Sequence, residues 1–281
     1  MSAPEIAVPG PLVGTDWLAE CLGAPGLVLF DASVGGHRGA SERIPGARPF
    51  DLDGPLSDHE AAAPHTMPGA AQFTEAMRGL GVDDSSTVVV YDGAGIYSSA
   101  RAWWMLRAMG FDRVAVLDGG LPAWTAAGLP VEAAGPAYEG PRGSFTARPR
   151  AGLLVGAEAV TAALADPAAV VLDARTRERF AGTAPEPRPG LRGGHMPGAL
   201  NLPFGELQRG DGLMRPSGEL RAAFEALAGT RERLYVSCGS GVTACVLALG
   251  ATLAGYRDVS VYDGSWSEWG LPSPHRPVVT C

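Results

Sequence analysis

The sequence predicts an α/β protein made of two similar halves, each with a central parallel sheet flanked by helices. Short apolar runs rich in valine and leucine alternate with helix-length segments along the chain. The same order of motifs occurs twice, and a glycine-containing turn follows corresponding apolar runs in both halves. Strands that alternate with helices form parallel sheets covered by helices on both faces.

The repeat consists of an apolar run, a glycine turn, a helix, a second apolar run and an Asp-Gly turn that leads to a tryptophan. In the first half these segments are Val88–Asp92, Ser98–Met109, Val114–Leu117 and Asp118–Trp124. In the second half they are Leu234–Cys238, Val242–Gly255, Val259–Tyr262 and Asp263–Trp269. Upstream, Leu27–Asp31 matches Val170–Asp173. The repeat predicts domains at residues 1–135 and 151–281. Residues 136–150, rich in Gly, Pro and Arg, are predicted to form the linker.

The charged residues exclude several classes of protein. All 22 basic residues are arginine, and the net charge is −8. A Schiff-base enzyme and a Walker-type phosphate loop both need lysine, so neither class fits. Nucleic-acid binders are normally basic, so we expect no nucleic-acid partner.

Targeting and metal signals are also lacking in the sequence. No apolar run approaches the roughly 18 residues of a spanning helix, so no membrane association is expected. Residues 1–14 do not resemble a secretion signal, and the four cysteines do not suggest a disulfide framework. The expected location is therefore the cytoplasm. No Cys-x-x-Cys pair occurs and the five histidines are scattered, so no metal site is expected.

The chemically informative segment is Cys238-Gly-Ser-Gly-Val-Thr243, between a predicted strand and a predicted helix. Backbone N–H groups can converge in a loop with two glycines, and the following helix adds its positive end. A thiol at this point is expected to be stabilised as the thiolate. The alternative is a buried structural cysteine. The corresponding position of the first half holds Asp92, which cannot carry sulfur, so we expect the chemistry in the second half.

These residues resemble the rhodanese family, and the loop is similar to that of its 3-mercaptopyruvate sulfurtransferases. The resemblance covers nearly the whole chain. Other similar stretches are Thr15–Leu18, Asp51–Asp53, Leu117–Trp124, Gly194–Ala199 and Tyr262–Trp266. The resemblance implies tandem rhodanese domains, of which only the C-terminal one is catalytic.

The resemblance implies a sulfurtransferase in which Cys238 takes sulfur from a small-molecule donor and becomes a persulfide. The sulfur then passes to a thiol acceptor, for which thioredoxin is a candidate, or to cyanide. Neither a cofactor nor a metal is required. The loop residues Gly239, Gly241, Val242 and Thr243 are implied to hold the donor and the persulfide.

The resemblance also implies roles for residues outside the loop. Arg179 and Arg188 fall where the family holds the donor carboxylate, and guanidinium groups suit a planar carboxylate. Ser240 is implied to polarise the donor. Asp53 and His65, from the N-terminal domain, are implied to complete a proton relay with this serine. A solvated arginine at 188 and a surface histidine at 65 are the alternatives.

The loop favours one donor over another. Thiosulfate-preferring members carry basic residues there, whereas Gly239, Ser240 and Gly241 are uncharged. We therefore expect 3-mercaptopyruvate as the main donor, pyruvate as the product and thiosulfate as a secondary donor.

Three other functions share part of this sequence pattern. The first is a thiosulfate sulfurtransferase with the same nucleophile. The second is a non-enzymatic persulfide carrier, although carriers of this fold are usually single domains. The third, a cysteine-dependent phosphatase, needs an arginine six residues after the cysteine, where Ala244 stands. Cys245 is expected to pack in the core, with a resolving thiol as its alternative role.

Overall fold

A computed structural model of the chain describes residues 6–133 and 138–281. The described chain divides into two compact units. The first lies within Met1–Ser57, Met67–Arg150 and Arg209–Met214. The second consists of Asp58–Thr66, Ala151–Gln208 and Arg215–Cys281.

Two short segments join the unit opposite to the one that their place in the sequence predicts. Asp58–Thr66 belongs to the second unit, so His65 does too, although the sequence assigns it to the N-terminal domain. Arg209–Met214 belongs to the first unit, where the Met214 N–H donates to an Asp118 oxygen at 2.9 Å. Sequence order alone cannot show these exchanges because each depends on contacts distant along the chain.

The predicted linker also packs with the first unit as far as it is described. The Phe145 N–H donates to the Val82 carbonyl at 3.0 Å, and the Arg148 N–H donates to the Met109 carbonyl at 2.8 Å. The predicted end of the first domain at 135 and start of the linker at 136 lie outside the described residues.

The first unit contains seven strands and four α-helices among its described residues. The strands are β1 (Leu12–Val13), β2 (Leu27–Asp31), β3 (Glu42–Arg43), β4 (Arg48–Pro49), β5 (Thr87–Tyr91), β6 (Val114–Leu117) and β7 (Glu132–Ala133). The helices are α1 (Thr15–Cys21), α2 (Ala70–Gly79), α3 (Ser99–Ala108) and α4 (Gly120–Ala126). Five strands form a parallel sheet in the order β1-β6-β5-β2-β4, and β3 pairs with β7 in an antiparallel ribbon.

The second unit repeats this sheet. Its strands are β8 (Leu154–Val155), β9 (Ala169–Asp173), β10 (Leu200–Asn201), β11 (Arg233–Ser237) and β12 (Asp258–Tyr262). Its helices are α5 (Ala157–Ala165), α6 (Arg177–Ala181), α7 (Ser217–Ala228), α8 (Ala244–Leu253) and α9 (Ser265–Trp269). All pairings are parallel, in the order β10-β9-β11-β12-β8. The chain order of the strands across both sheets is the same, which confirms the predicted fold class.

The cores explain why apolar runs become strands here. Every residue of β5 and of β9 is buried, as expected for central strands covered on both faces. The helix that follows Cys238 is buried as well, since residues 244–251 of α8 are all buried. Among the described residues no helix has the length and apolar character needed to cross a membrane.

Candidate active site

Cys238 lies at the carboxyl end of the central strand of the second unit. It follows β11 directly, and β9 and β12 flank that strand. The register pairs Ser237 with Asp173, so the turns after β9 and β11 begin side by side. Sites in parallel sheets form at this edge because loops from neighbouring strands converge there. Cys238 is only 1% exposed, so the loop shields the thiol from bulk water.

Helix α9 holds the first two residues of the loop in place. The Cys238 N–H donates to the Ser265 hydroxyl at 3.2 Å, and the Cys238 carbonyl accepts from the Trp266 N–H at 2.9 Å. The Gly239 carbonyl accepts two hydrogen bonds from Ser267, from its N–H at 2.8 Å and from its hydroxyl at 2.7 Å. The nucleophile is therefore positioned by main-chain contacts that do not involve its sulfur.

The rest of the loop presents unused hydrogen-bond donors. Within the described chain, none of the five N–H groups from Gly239 to Thr243 donates to a protein acceptor. Gly241 has a φ of 76°, a conformation that other residues adopt only with strain. Cys245 is fully buried, and its thiol donates to the Gly241 carbonyl at 3.3 Å. Successive free N–H groups at a helix N-terminus form a cradle for an anion.

Ser240 is paired with the predicted histidine. The His65 Nδ1 lies 3.0 Å from the Ser240 hydroxyl oxygen, and Ser240 is 7% exposed. Both residues belong to the second unit, because the segment 58–66 packs there. A hydroxyl within hydrogen-bond distance of an imidazole can pass a proton to or from it.

Arg179 reaches the loop from helix α6. Thr176 caps this helix by accepting from the Arg179 N–H, which fixes the backbone of the arginine. The Arg179 Nη2 lies 3.2 Å from the position that a Cβ on Gly239 would occupy, so the glycine lets the guanidinium approach the loop closely. Arg179 is therefore the cation beside the loop, and its side chain stays 22% exposed.

Arg179 belongs to a largely buried ion network that the sequence does not predict. The Glu186 carboxylate pairs with Arg179 at 2.5 Å and with Arg175 at 2.7 Å. Arg175 also pairs with Asp173 at 2.7 Å and lies 4.0 Å above the Trp266 ring. Burial opposes the charge of Arg175, but the Asp173 and Glu186 carboxylates outweigh it, so the arginine pKa is raised. The network orients Arg179, because its partner Glu186 is itself fixed by the ion pair with the buried Arg175.

One signal in the sequence points to this network. The turn after β2 reads Asp31-Ala-Ser33, whereas the turn after β9 reads Asp173-Ala-Arg175. An arginine at the equivalent position of only one repeat marks a difference between the two sheet edges. The partner Glu186 lies in a proline-rich segment without periodicity, so its contact with Arg175 is not predictable from spacing.

Two further predicted residues lie in different units, Arg188 in the second and Asp53 in the first. Arg188 is half-buried and forms no ion pair with the described residues. Asp53 belongs to the first unit, where Arg38 approaches it at 3.3 Å. Their roles in donor binding and in the proton relay stay predictions.

No group of three or more His, Cys, Asp or Glu side chains in the described part of the chain is arranged to bind a metal ion. The structure places Cys238, Ser240, His65, Arg179 and the loop residues Gly239, Gly241, Val242 and Thr243 in one region of the second unit. This arrangement can bind a small anion next to a thiol and supply a proton beside it.

Comparison with known proteins agrees with the fold and gives the family. The Rhodanese-like domain family matches twice, at residues 14–127 and 156–271. The chain is 41% identical to 3-mercaptopyruvate sulfurtransferase of Escherichia coli K12, covering 95% of this chain and 98% of that protein. It is 38% identical to thiosulfate sulfurtransferase of Bos taurus, covering 96% and 95% of the two chains. The crystal structure of SseA from Escherichia coli, described as a 3-mercaptopyruvate sulfotransferase, aligns with a TM-score of 0.80 at 39% identity, covering 92% of this chain and 99% of that one.

Proposed function

We propose that this chain, which belongs to the rhodanese family of sulfurtransferases, transfers sulfur from 3-mercaptopyruvate through a Cys238 persulfide to a thiol or to cyanide. The observation that carries the proposal is the contact between Ser240 and His65 within an uncharged loop, with one arginine beside it. A keto-acid donor needs one cation for its carboxylate and one proton source for its carbonyl end.

Donor binding rests on Arg179 and, as a prediction, on Arg188. The guanidinium of Arg179 already holds Glu186, so the donor carboxylate binds to N–H groups that this ion pair leaves free. An arginine presents five N–H donors, and a carboxylate on each side can be satisfied at once. The Glu186 contact keeps the guanidinium beside Gly239 before the donor arrives.

Sulfur transfer to the enzyme exchanges one bond for another. The Cys238 thiolate attacks the donor sulfur, an S–S bond forms, and the donor C–S bond breaks. The electron pair of that bond leaves with the enolate of pyruvate, which takes a proton supplied through Ser240. His65 is the base or acid next to this hydroxyl, and Asp53 is proposed to complete the relay.

The persulfide anion then rests in the cradle of N–H groups from Gly239 to Thr243. An acceptor thiolate attacks the outer sulfur and leaves as a persulfide, which restores the Cys238 thiolate. With cyanide the product is thiocyanate. The two half-reactions predict ping-pong kinetics.

The donor preference separates this proposal from its nearest alternative. Thiosulfate is a dianion, and the loop carries no basic side chain to match its second charge. We therefore propose thiosulfate as a secondary donor. A persulfide carrier without turnover is the remaining alternative, and it predicts a stable persulfide with no release of pyruvate.

The protein acceptor of the sulfur and the cellular location are also proposed. Thioredoxin is the proposed protein acceptor because it offers a reactive thiolate. All four cysteines are free thiols, which suits a reducing compartment and supports the cytoplasm.

The test is steady-state transfer from each donor to one thiol acceptor, with intact mass of the enzyme followed in parallel. We expect higher kcat/KM with 3-mercaptopyruvate than with thiosulfate, and a gain of one sulfur that Cys238→Ser abolishes. Higher kcat/KM with thiosulfate would overturn the donor assignment. A persulfide on another cysteine would overturn the nucleophile.

A further inference from the structure

A second thiol of the second unit faces a histidine that the transfer reaction does not use. The Cys281 Sγ lies 4.0 Å from the His195 Nε2. Cys281 is exposed, whereas His195 is only 7% exposed. A buried imidazole therefore directs its Nε2 at an accessible thiol. Among the described residues, this sulfur is the one hydrogen-bond partner of Nε2.

The other ring nitrogen fixes the direction of the imidazole. The His195 Nδ1 lies 2.9 Å from the Phe180 carbonyl, which can only accept, so Nδ1 carries the proton and donates it. In the neutral ring Nε2 is then left with a lone pair, directed at Cys281. The Phe180 ring stacks on the imidazole at 3.8 Å with an angle of 14°, which holds the ring plane.

The backbone on both sides keeps the thiol in place. His195 and Val279 exchange two main-chain hydrogen bonds, at 2.9 and 3.0 Å. The Cys281 N–H donates to the Ala181 carbonyl at 3.2 Å. A thiol, a base with a free lone pair and a group that orients the base form the arrangement that activates nucleophiles.

The charged groups on neighbouring elements are engaged elsewhere. On α6, Arg177 pairs with Glu206 and Arg179 pairs with Glu186, while Glu178 lies at the start of the helix. Next to His195, the Gly194 carbonyl accepts from the buried Arg175. Within the described chain, His195 is therefore the titratable group in contact with the Cys281 sulfur.

We propose that Cys281 is a thiol modification site, activated by His195, that reacts with small-molecule disulfides. The Cys281 proton moves to the His195 Nε2, and the thiolate attacks one sulfur of the disulfide. A new S–S bond forms to Cys281 while the original S–S bond breaks. The departing thiolate takes its electron pair with it and receives the proton from His195. The products are a mixed disulfide on Cys281 and one free thiol, so electrons and protons balance without another reactant.

The test measures how fast each cysteine of the full chain forms a mixed disulfide with bis(2-hydroxyethyl) disulfide, a neutral probe. Cys238→Ser is used as the background, so transfer chemistry plays no part. At about pH 7 we expect Cys281 to react about tenfold faster than in the His195→Gln variant, because an unassisted thiol is only a few per cent ionised. At about pH 10, where any accessible thiol is ionised, the two rates should converge.

The chain provides an internal control for this measurement. Burial, together with Glu20, raises the pKa of the Cys21 thiol, so Cys21 should react slowly at neutral pH in both proteins. A His195→Gln variant that merely loosens the local structure would show faster Cys281 modification at high pH, not convergence. That result would overturn the proposal, as would equal rates in the two proteins at neutral pH.

A short peptide with the sequence Val-Val-Thr-Cys of residues 278–281 gives a second reference that does not depend on the folding of a variant. We expect Cys281 of the folded chain to react about tenfold faster than the peptide thiol at about pH 7, for the same reason. A folded chain that reacts no faster than the peptide would refute activation by His195.

Discussion

The turn after β5 in the first unit and the turn after β11 in the second share their glycine positions but enclose different groups. The first reads Asp92-Gly-Ala-Gly-Ile-Tyr97, and the second reads Cys238-Gly-Ser-Gly-Val-Thr243. Both follow the central strand of a sheet with the same order of strands, and a helix begins shortly after each. The difference therefore lies in side chains and not in the scaffold.

In the first unit the Asp92 carboxylate accepts hydrogen bonds from its own loop and from the start of the helix that follows. One oxygen of the Asp92 carboxylate accepts from the Ala94 N–H at 2.9 Å. The other accepts from the N–H groups of Tyr97, Ser98 and Ser99, at 2.8–3.0 Å. Burial raises the pKa of this carboxyl, and the backbone donors oppose the rise. The carboxylate fills its own anion cradle and stabilises the loop.

In the second unit the N–H groups from Gly239 to Thr243 donate to no acceptor within the described chain, and Cys238 does not engage them. A loop with unused buried donors is less stable than one that is satisfied, and proteins tolerate this at functional sites. The pair of loops is consistent with one scaffold that stabilises the first unit and that, as proposed, binds anions in the second.

The largest effect should follow from removing the sulfur. We expect Cys238→Ala to reduce sulfur transfer by at least about 1,000-fold, because no other group can hold the persulfide in the cradle. Transfer kinetics with 3-mercaptopyruvate and intact mass measure this. A variant that keeps more than a hundredth of the activity would contradict the assignment of Cys238.

The reciprocal variant checks whether a cysteine in the first loop is sufficient for sulfur transfer. In the Cys238→Ala background we expect Asp92→Cys to restore no transfer. The loop would then hold Ala94 where the active loop has Ser240, and Ser33 stands at the neighbouring turn in place of an arginine. Recovered activity would show that the scaffold alone makes the site.

The next effect is on stability. We expect Asp92→Ala to lower the free energy of unfolding by about 3 kcal/mol, because four N–H groups, of which those of Ser98 and Ser99 are buried, lose their acceptor. Asp92→Asn keeps one acceptor oxygen and should lose about half as much. Cys238→Ala is the matched variant in the other loop and should change stability by only about 1 kcal/mol. Calorimetric unfolding of the three proteins measures this, and equal losses at the two sites would remove the distinction between the loops.

A smaller effect should follow when the active loop is made like the inactive one. Ser240→Ala introduces the residue that the first loop carries at position 94. We expect kcat with 3-mercaptopyruvate to fall about 100-fold, since proton transfer to the departing enolate is lost. Thiosulfate leaves as sulfite and needs no such proton, so its kcat should change little. Equal losses with both donors would mean that Ser240 only shapes the loop.

The sequence predicted those features of the two loops and their strands that depend on the local pattern of residues. Runs such as Val88–Val90 are β-branched and apolar, so they form fully buried central strands at the predicted positions. The glycines at 239 and 241 predicted a tight loop after the strand, which the structure contains. The family resemblance to rhodanese is confirmed by the two domain matches.

Long-range contacts set the limit of what the sequence predicts. The unit to which residues 58–66 belong depends on packing that no periodicity encodes. Ser265 supports Cys238 from 27 positions further along the chain. Arg175 is buried and shares Glu186 with Arg179, whereas an arginine in sequence is most often interpreted as solvated. Each of these contacts depends on how separate segments fold against each other.

The smallest effect concerns donor affinity, where two arginines of one helix can be compared. Arg179 lies beside Gly239, whereas Arg177 is 62% exposed and pairs with Glu206. We expect Arg179→Ala to raise KM for 3-mercaptopyruvate about tenfold, the loss of one partly solvated charge contact. Arg177→Ala should leave KM unchanged. Arg188→Ala, on the assigned role in holding the carboxylate, should behave like Arg179→Ala.

The arginine variants also test whether the two units differ in their ability to bind the donor carboxylate. At the counterpart of Arg175 the first unit has Ser33, so it lacks the second arginine that shares Glu186 with Arg179. If Arg179→Ala and Arg177→Ala raised KM equally, the effect would come from the general positive charge of α6. If Arg188→Ala left KM unchanged while Arg179→Ala raised it, Arg179 would hold the carboxylate alone, oriented by Glu186.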